Sequence, residues 1–255
     1  MIEITSRKNP LVLEVVSLHD KKARDEKGLF FTEGEKIFTE AVSADFLPER
    51  VFVTKDFLMS HPSLLDGMSD LYLVTDEVYS KMTDERSPEG LLSVFKKREI
   101  ADVKRTSSVI LLEGIQDPGN LGTLMRSAIA FGVRCILTVS CADPYSPKTV
   151  RSTMGAIFKI PVYSFTDIDD AVSFAREMTP TVIAATLSSD SISLYSADTA
   201  SACIMIGSEG RGLSPRAIEL SDTKVIIPIE NIESLNASVA GAIMMYDSMM
   251  KRRGL

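Results

Sequence analysis

Residues able to do chemistry gather in three short stretches of the second half of this 255-residue chain. The first, EGIQDPGNLGTLMRSAIAFG (residues 113–132), sets Asn120 at the head of an apolar-periodic run and Arg126 six residues further on. The second, GSEGRGLS (207–214), places Glu209 among Gly207, Gly210 and Gly212. The third, IPIENIESLNASVAGA (227–242), brings Ser234, Asn236 and Ser238 just ahead of the last apolar helix. Amide, guanidinium, hydroxyl and carboxylate together can orient a polar substrate and stabilise negative charge developing on oxygen, and glycines let the backbone approach a ligand or another segment closely. Each residue also has a plainer use. Asn120, Ser234 and Asn236 can cap helix N-termini, Arg126 lies off the apolar stripe like any surface arginine, and Glu209 can pair with an arginine.

Much other chemistry is excluded. The two histidines, His19 and His61, both fall in the first hundred residues, so the second half cannot build a Ser-His-Asp triad, a Cys-His pair or a histidine-ligated metal site of its own. Cys135, Cys141 and Cys203 are too few and too irregular for a disulfide framework or a zinc site, and read as buried, reduced thiols. No P-loop occurs, and the glycines at 207, 210 and 212 run opposite to the dinucleotide fingerprint and come late in the chain. No metal is expected. The formal charge of -7 argues against a surface that grips a polyanion everywhere, leaving local clusters such as KKARDEK (21–27) and KKR (96–98). With no apolar run approaching the roughly 20 residues of a membrane span and no apolar signal stretch at the start, a cytoplasmic protein without a membrane partner is expected.

The elements that must hold these residues alternate. VILLE, VRCILTV, TVIAAT, CIMIG and KVIIPI are continuous apolar runs, as strands buried on both faces are. Between and after them, Leu121, Leu124, Met125, Ala128 and Ile129, then Leu235, Val239, Ala242, Ile243 and Tyr246, recur at helical spacing. Alternation of this kind predicts a mainly parallel sheet with helices on both faces, in which loops at the carboxyl ends of strands share one site. The first hundred residues read as a smaller α/β unit, with strands in RVFVTKDF and DLYLV and helices in GEKIFTEAVSA and TDEVYSKMTD. The expected organisation is a domain over 1–98, a polar linker over 99–108 and a second domain over 109–255.

The ordered set Pro118-x-Asn120-x-Gly122 with Arg126, Gly207-x-Glu209-Gly210-x-Gly212, and Ile227-Pro228 with Ser234-Leu235-Asn236-x-Ser238 resembles the three motifs of the SpoU/TrmH-type RNA 2′-O-ribose methyltransferases of the SPOUT class. GLFFTEGEKIFTEAV and TDEVYSKMTDERSPEGLLSVF resemble the N-terminal substrate-binding domain of the rRNA-modifying branch. The resemblance implies a C-terminal α/β knot (a trefoil knot), a smaller L30e-like α/β domain, and S-adenosylmethionine as cofactor. It also implies a catalytic set of Asn120, Arg126, Glu209, Ser234 and Asn236, and cofactor contacts at Leu187, Gly207, Gly210, Ile227, Ile229, Leu235 and Ser238. DPYSPKTVRSTMGAIFKIPV (143–162) resembles the family too, with Lys148 and Arg151 suited to RNA phosphates. The expected partners are RNA, rRNA ahead of tRNA, and a second copy of the chain. Met244, Met245, Met249 and Met250 around the last helix are consistent with a dimer seam. A non-catalytic RNA-binding module on the same fold is the alternative.

Overall fold

A computed structural model describes residues 1–98 and 108–255, so of the expected linker 99–107 lies outside the described residues and Ser108 opens a strand. The chain forms two compact units, one of Met1–Arg98 with Tyr145–Phe158, the other of the remaining described chain, including Lys159–Leu255.

The first unit runs β1 (Ile2–Ile4), α1 (Pro10–Ser17), α2 (Lys21–Lys27), β2 (Leu29–Glu33), α3 (Glu35–Ser43), β3 (Arg50–Thr54), α4 (Lys55–Ser60), β4 (Leu71–Val74), α5 (Asp76–Met82) and β5 (Leu91–Lys96). RVFVTKDF is only half strand: Thr54 accepts the Phe57 N–H and caps α4, so KDF is helical. Its mixed sheet has the order β1-β4-β3-β5-β2, with β2 antiparallel to β5.

The second unit contains β6 (Ser108–Glu113), α6 (Pro118–Ala130) and β7 (Cys135–Val139). The next helix, α7 (Pro147–Thr153), belongs to the first unit, where Tyr145 and Phe158 pack their rings on Phe30. The second unit then resumes with β8 (Val162–Phe165), α8 (Ile168–Met178), β9 (Thr181–Ala185), β10 (Ile192–Ser193), β11 (Ala202–Ile206), α9 (Pro215–Glu219), β12 (Thr223–Ile226) and α10 (Ala237–Arg252).

All strands of this second sheet are parallel, in the order β10-β12-β9-β11-β6-β7-β8. Both faces are buried, which is why the strands read as unbroken apolar runs. Val109, Leu111, Cys203 and Met205 face α8 and α9, packing with Ala171, Val172, Ala175 and Ala217. On the other face α10 lies so close to α6 and β11 that a Cβ on Gly241 would overlap Leu124 and stand 2.9 Å from Ile206 Cδ1. Glycine is required there by packing, not by backbone conformation.

Gly241→Val should therefore force α10 away from the sheet. Overpacking of this kind costs about 1–3 kcal/mol, and thermal denaturation should show a Tm lower by several degrees; an unchanged Tm would contradict the close seating of α10.

Candidate active site

Strands β6, β11, β9 and β12 are consecutive neighbours, all pointing the same way. Their last residues, Glu113, Ile206, Ala185 and Ile226, therefore lie along one edge, and the stretches 113–132, 207–214 and 227–242 follow β6, β11 and β12 there. The three stretches converge as a direct consequence of strand order.

At this edge a chain of side-chain hydrogen bonds links three loops. Asn120 Nδ2 donates to Glu209 Oε1, and Asn236 Nδ2 donates to Asn120 Oδ1 at 3.2 Å. Asn236 Oδ1 in turn accepts from the Ser238 N–H at 2.9 Å, the Ser238 hydroxyl at 2.6 Å and the Val239 N–H at 3.3 Å. Chemistry allows one polarity only: an ionised carboxylate only accepts and backbone N–H groups only donate. With Glu209 at one end and the first amides of α10 at the other, both intervening carboxamides are fixed in orientation. The carboxylate and the positive N-terminal end of α10 terminate the chain.

The capping roles fall differently from expectation. Asp117, not Asn120, caps α6, accepting the Asn120 N–H at 2.8 Å; Pro118 occupies the first helical position, where a missing N–H costs nothing. The Asn120 side chain is thereby left free to bridge. Asn236 caps α10, and Ser234, exposed two residues earlier, joins none of these bonds.

The three glycines have three different reasons. A Cβ on Gly207 would overlap the carbonyl carbon of Gly212 and the nitrogen of Leu213, so two stretches of backbone touch there. Gly212 adopts φ +66 and donates its N–H to Ser208 O at 2.9 Å, closing a tight turn. Nothing lies within 4 Å of the space a Cβ on Gly210 would occupy, so only two of the three are demanded by the chain itself. Beyond the turn, the Ser214 N–H donates to Glu113 Oε2 at 2.8 Å. A cleft of about 330 Å³ opens between these loops, lined by Glu113, Gly114, Ser208, Arg211 and Ser214.

Of the expected cofactor residues, Gly207 and Ser238 are buried, Ile227, Ile229 and Leu235 half-buried, and Leu187 is 77% exposed in the loop after β9. Arg126 is exposed on α6 and engages no partner among the described residues. Six residues separate it from Asn120, about 9 Å along the helix axis at 1.5 Å per residue. Lys148 and Arg151 lie in the first unit, on α7. Lys148 is exposed, but Arg151 is paired with Glu85 and stands 3.8 Å from Asp84. Those carboxylates cluster with Glu33, whose carboxyl burial pushes above its ordinary range. Arg151's charge is thus balanced within the chain and less available to a phosphate than its spacing suggested. Burial raises the thiols of Cys135 and Cys141 to about 12 and about 11, in keeping with inert cysteines. Sequence reading missed Asp117 and Glu113; the Asp-Pro pair at a helix start was the available signal for Asp117.

Residues 107–246 match the model of the SpoU rRNA Methylase family, and residues 9–93 that of the MRM3-like substrate binding domain. The chain is 32% identical to an uncharacterized tRNA/rRNA methyltransferase from Synechocystis sp., covering 96% of this chain and 92% of that one. It is 29% identical to the 23S rRNA (guanosine(2553)-2'-O)-methyltransferase RlmP of Bacillus subtilis, covering 96% and 98%. Among solved structures, the AdoMet-bound rRNA methyltransferase from Sinorhizobium meliloti superposes with a TM-score of 0.83 at 29% identity, over 99% of this chain and 98% of that one.

Because Asn236 donates to Asn120, Asn120→Ala and Asn236→Ala should not be additive. Removing the Asn236 cap alone costs about 1 kcal/mol, and contacting residues couple by about 0.5 kcal/mol or more. A double-mutant cycle in urea showing strict additivity would mean the two amides do not meet.

Proposed function

The chain belongs to the SpoU rRNA methylase family and is an S-adenosylmethionine-dependent RNA 2′-O-ribose methyltransferase with that family's α/β-knot fold; from that premise we propose that the strand-end edge around Asn120, Glu209 and Asn236 is its active site and rRNA its substrate. The single observation that carries the assignment is the hydrogen-bonded chain joining those three residues, which come from the separate stretches that follow β6, β11 and β12.

The residues present suit the cofactor. Aliphatic side chains of Leu187, Ile227, Ile229 and Leu235 border loops whose backbone groups stand at the sheet edge, an arrangement that can cover an adenosine and hydrogen-bond its edges without charged side chains. The bound cofactor supplies an electrophilic methyl group. The protein then has to hold the ribose 2′-hydroxyl in line with it and assist loss of the hydroxyl proton, so positioning supplies much of the acceleration. Glu209, Asn120 and Asn236 keep the loops in fixed relation. Arg126 is the electrostatic element: a guanidinium stays protonated in proteins, so its role is to orient an RNA phosphate and stabilise charge developing on the ribose oxygen, not to take the proton.

In one protomer Arg126 is outside the hydrogen-bonded chain, and a second copy is part of this reading. Met244 and Met245 do not form the expected seam, because both point inward and are fully buried. The apolar stripe that supports a dimer is instead Val239, Ile243 and Tyr246 of α10, exposed at 47%, 38% and 48%. It borders a groove of about 390 Å³ lined by Tyr195, Pro228 and Met250. Pro228 sits in the loop after β12, so a partner seated there would adjoin the cofactor loops. Among the described residues no helix is long and apolar enough to cross a membrane.

Isothermal titration should give micromolar or tighter binding of S-adenosylmethionine, unmatched by ATP or NAD. Arg126→Ala should keep that binding while methyl transfer to RNA falls by about a hundredfold or more; loss of cofactor binding together with activity would remove Arg126 from the transfer step. Mapping ribose methylation in total RNA from cells with and without the gene should reveal one missing site in rRNA, and a missing tRNA site would redirect the substrate. Ile243→Asp should yield a monomer by light scattering with reduced transfer, whereas a wild-type protein that is already monomeric would eliminate the dimer.

A further inference from the structure

We propose that Glu113 is a positioning residue for the cofactor wall, holding the loop after β11 by a charged hydrogen bond from the opposite side to Asn120. Three observations converge on it. Strand register puts Leu112 level with Ile206, so Glu113 stands level with Gly207, where the loop leaves the sheet. Its carboxylate accepts the Ser214 N–H at 2.8 Å, across 101 residues of sequence. Ser214 is the cap of α9, with its hydroxyl taking the Ala217 N–H at 3.1 Å, so its own backbone N–H needs an acceptor from elsewhere.

The two tethers work on different faces of the sheet. Leu111 lies with α8 and α9, and side chains alternate along a strand, so Glu113 shares that face. Asn120 reaches Glu209 from α6, on the other. Between the tethers lie Gly207, with the Gly212–Leu213 backbone pressed against it, and the turn that carries Glu209. Gly114 adopts φ +72 directly after Glu113 and donates its N–H to Val139 O at 2.9 Å, which anchors the carboxylate's own backbone. A loop tied by side chains at Glu209 and at Ser214 presents a fixed wall; released at Ser214, it keeps the Glu209 tie, its own turn and the burial of Leu213, but loses its one charged hydrogen bond to β6.

The inference rests on the assignment of this edge as the cofactor site, and the test separates the two. Titration of S-adenosylmethionine into the full-length wild type checks the site itself; no binding there would overturn the assignment. If wild type binds, E113A should bind about tenfold more weakly, the loss expected when one charge-assisted hydrogen bond stops holding the wall. E113Q keeps the side-chain volume and an acceptor oxygen without the charge, and should recover affinity to within about threefold. R176A serves as a control. It cuts the pairing to Asp222 at the amino-terminal edge of the same sheet, where Asp222 also accepts the Val182 N–H, and should lower Tm without changing cofactor affinity. Wild-type affinity in E113A, or an equal loss in R176A, would overturn the positioning role. Should E113A fail to fold, E113M, which keeps the side-chain length but has no oxygen acceptor, should show the same tenfold loss, and wild-type affinity in E113M would overturn the role equally.

Discussion

The relay at the sheet edge depends on two carboxamides, those of Asn120 and Asn236, each of which must donate in one direction and accept in the other. Glu209 offers only acceptors and the N-terminus of α10 only donors, so the amides between them have a single satisfying orientation. That orientation is available because Asp117 has taken over the capping of α6. With Asp117 accepting the Asn120 N–H, the Asn120 oxygen meets Asn236. Asp117 and Asn120 therefore divide capping and bridging between them within a single helical turn.

The relay can exist only because an all-parallel sheet delivers its loops to one side. β6 and β11 are adjacent, so Asn120 and Glu209, 89 residues apart in sequence, follow neighbouring strand ends. β12 is two strands further along, and the loop after it supplies Asn236 at the mouth of α10. The close seating of α10 on α6 and β11, which Gly241 permits, brings that helix mouth within reach of Asn120. Packing on one face of the sheet thus sets a distance that the hydrogen bonds then use.

This logic explains what could be read from the amino-acid sequence. Continuous apolar runs such as CILTV and ACIMI declared doubly covered strands, and with them a parallel sheet. Asn120, Glu209 and Asn236 each had a structural use to hand, capping or pairing, and stood out through the ordered set of motifs to which they belong. Other features were hidden for physical reasons. Capping by Asp117 rather than Asn120 is decided by φ and ψ, which neighbouring polar residues do not reveal. Glu113 looked like the last residue of a strand because its partner is a backbone N–H 101 residues away, and a backbone donor leaves no mark in composition. Met244 and Met245 looked like surface because a helix packed on both another helix and a sheet buries more of its circumference than periodicity alone indicates. The knotted path of the fold comes from family membership, since hydrophobic patterning carries no record of which segment passes through which.

The charge of the chain fits an RNA-modifying role once individual pairings are followed. A net charge of -7 would repel a polyanion if positive groups were distributed evenly. They are not: Arg176 is held by Asp222, Arg216 by Asp169 and Arg151 by Glu85, which removes those guanidinium groups from competition for phosphate. Arg126 and Arg211, by contrast, are exposed and unpaired among the described residues, one on the helix that carries Asn120 and one in the loop that carries Glu209. In an acidic protein, these two guanidinium groups place positive charge on either side of the relay. Clustered charge of this kind attracts a polyanion locally even where the net charge is negative.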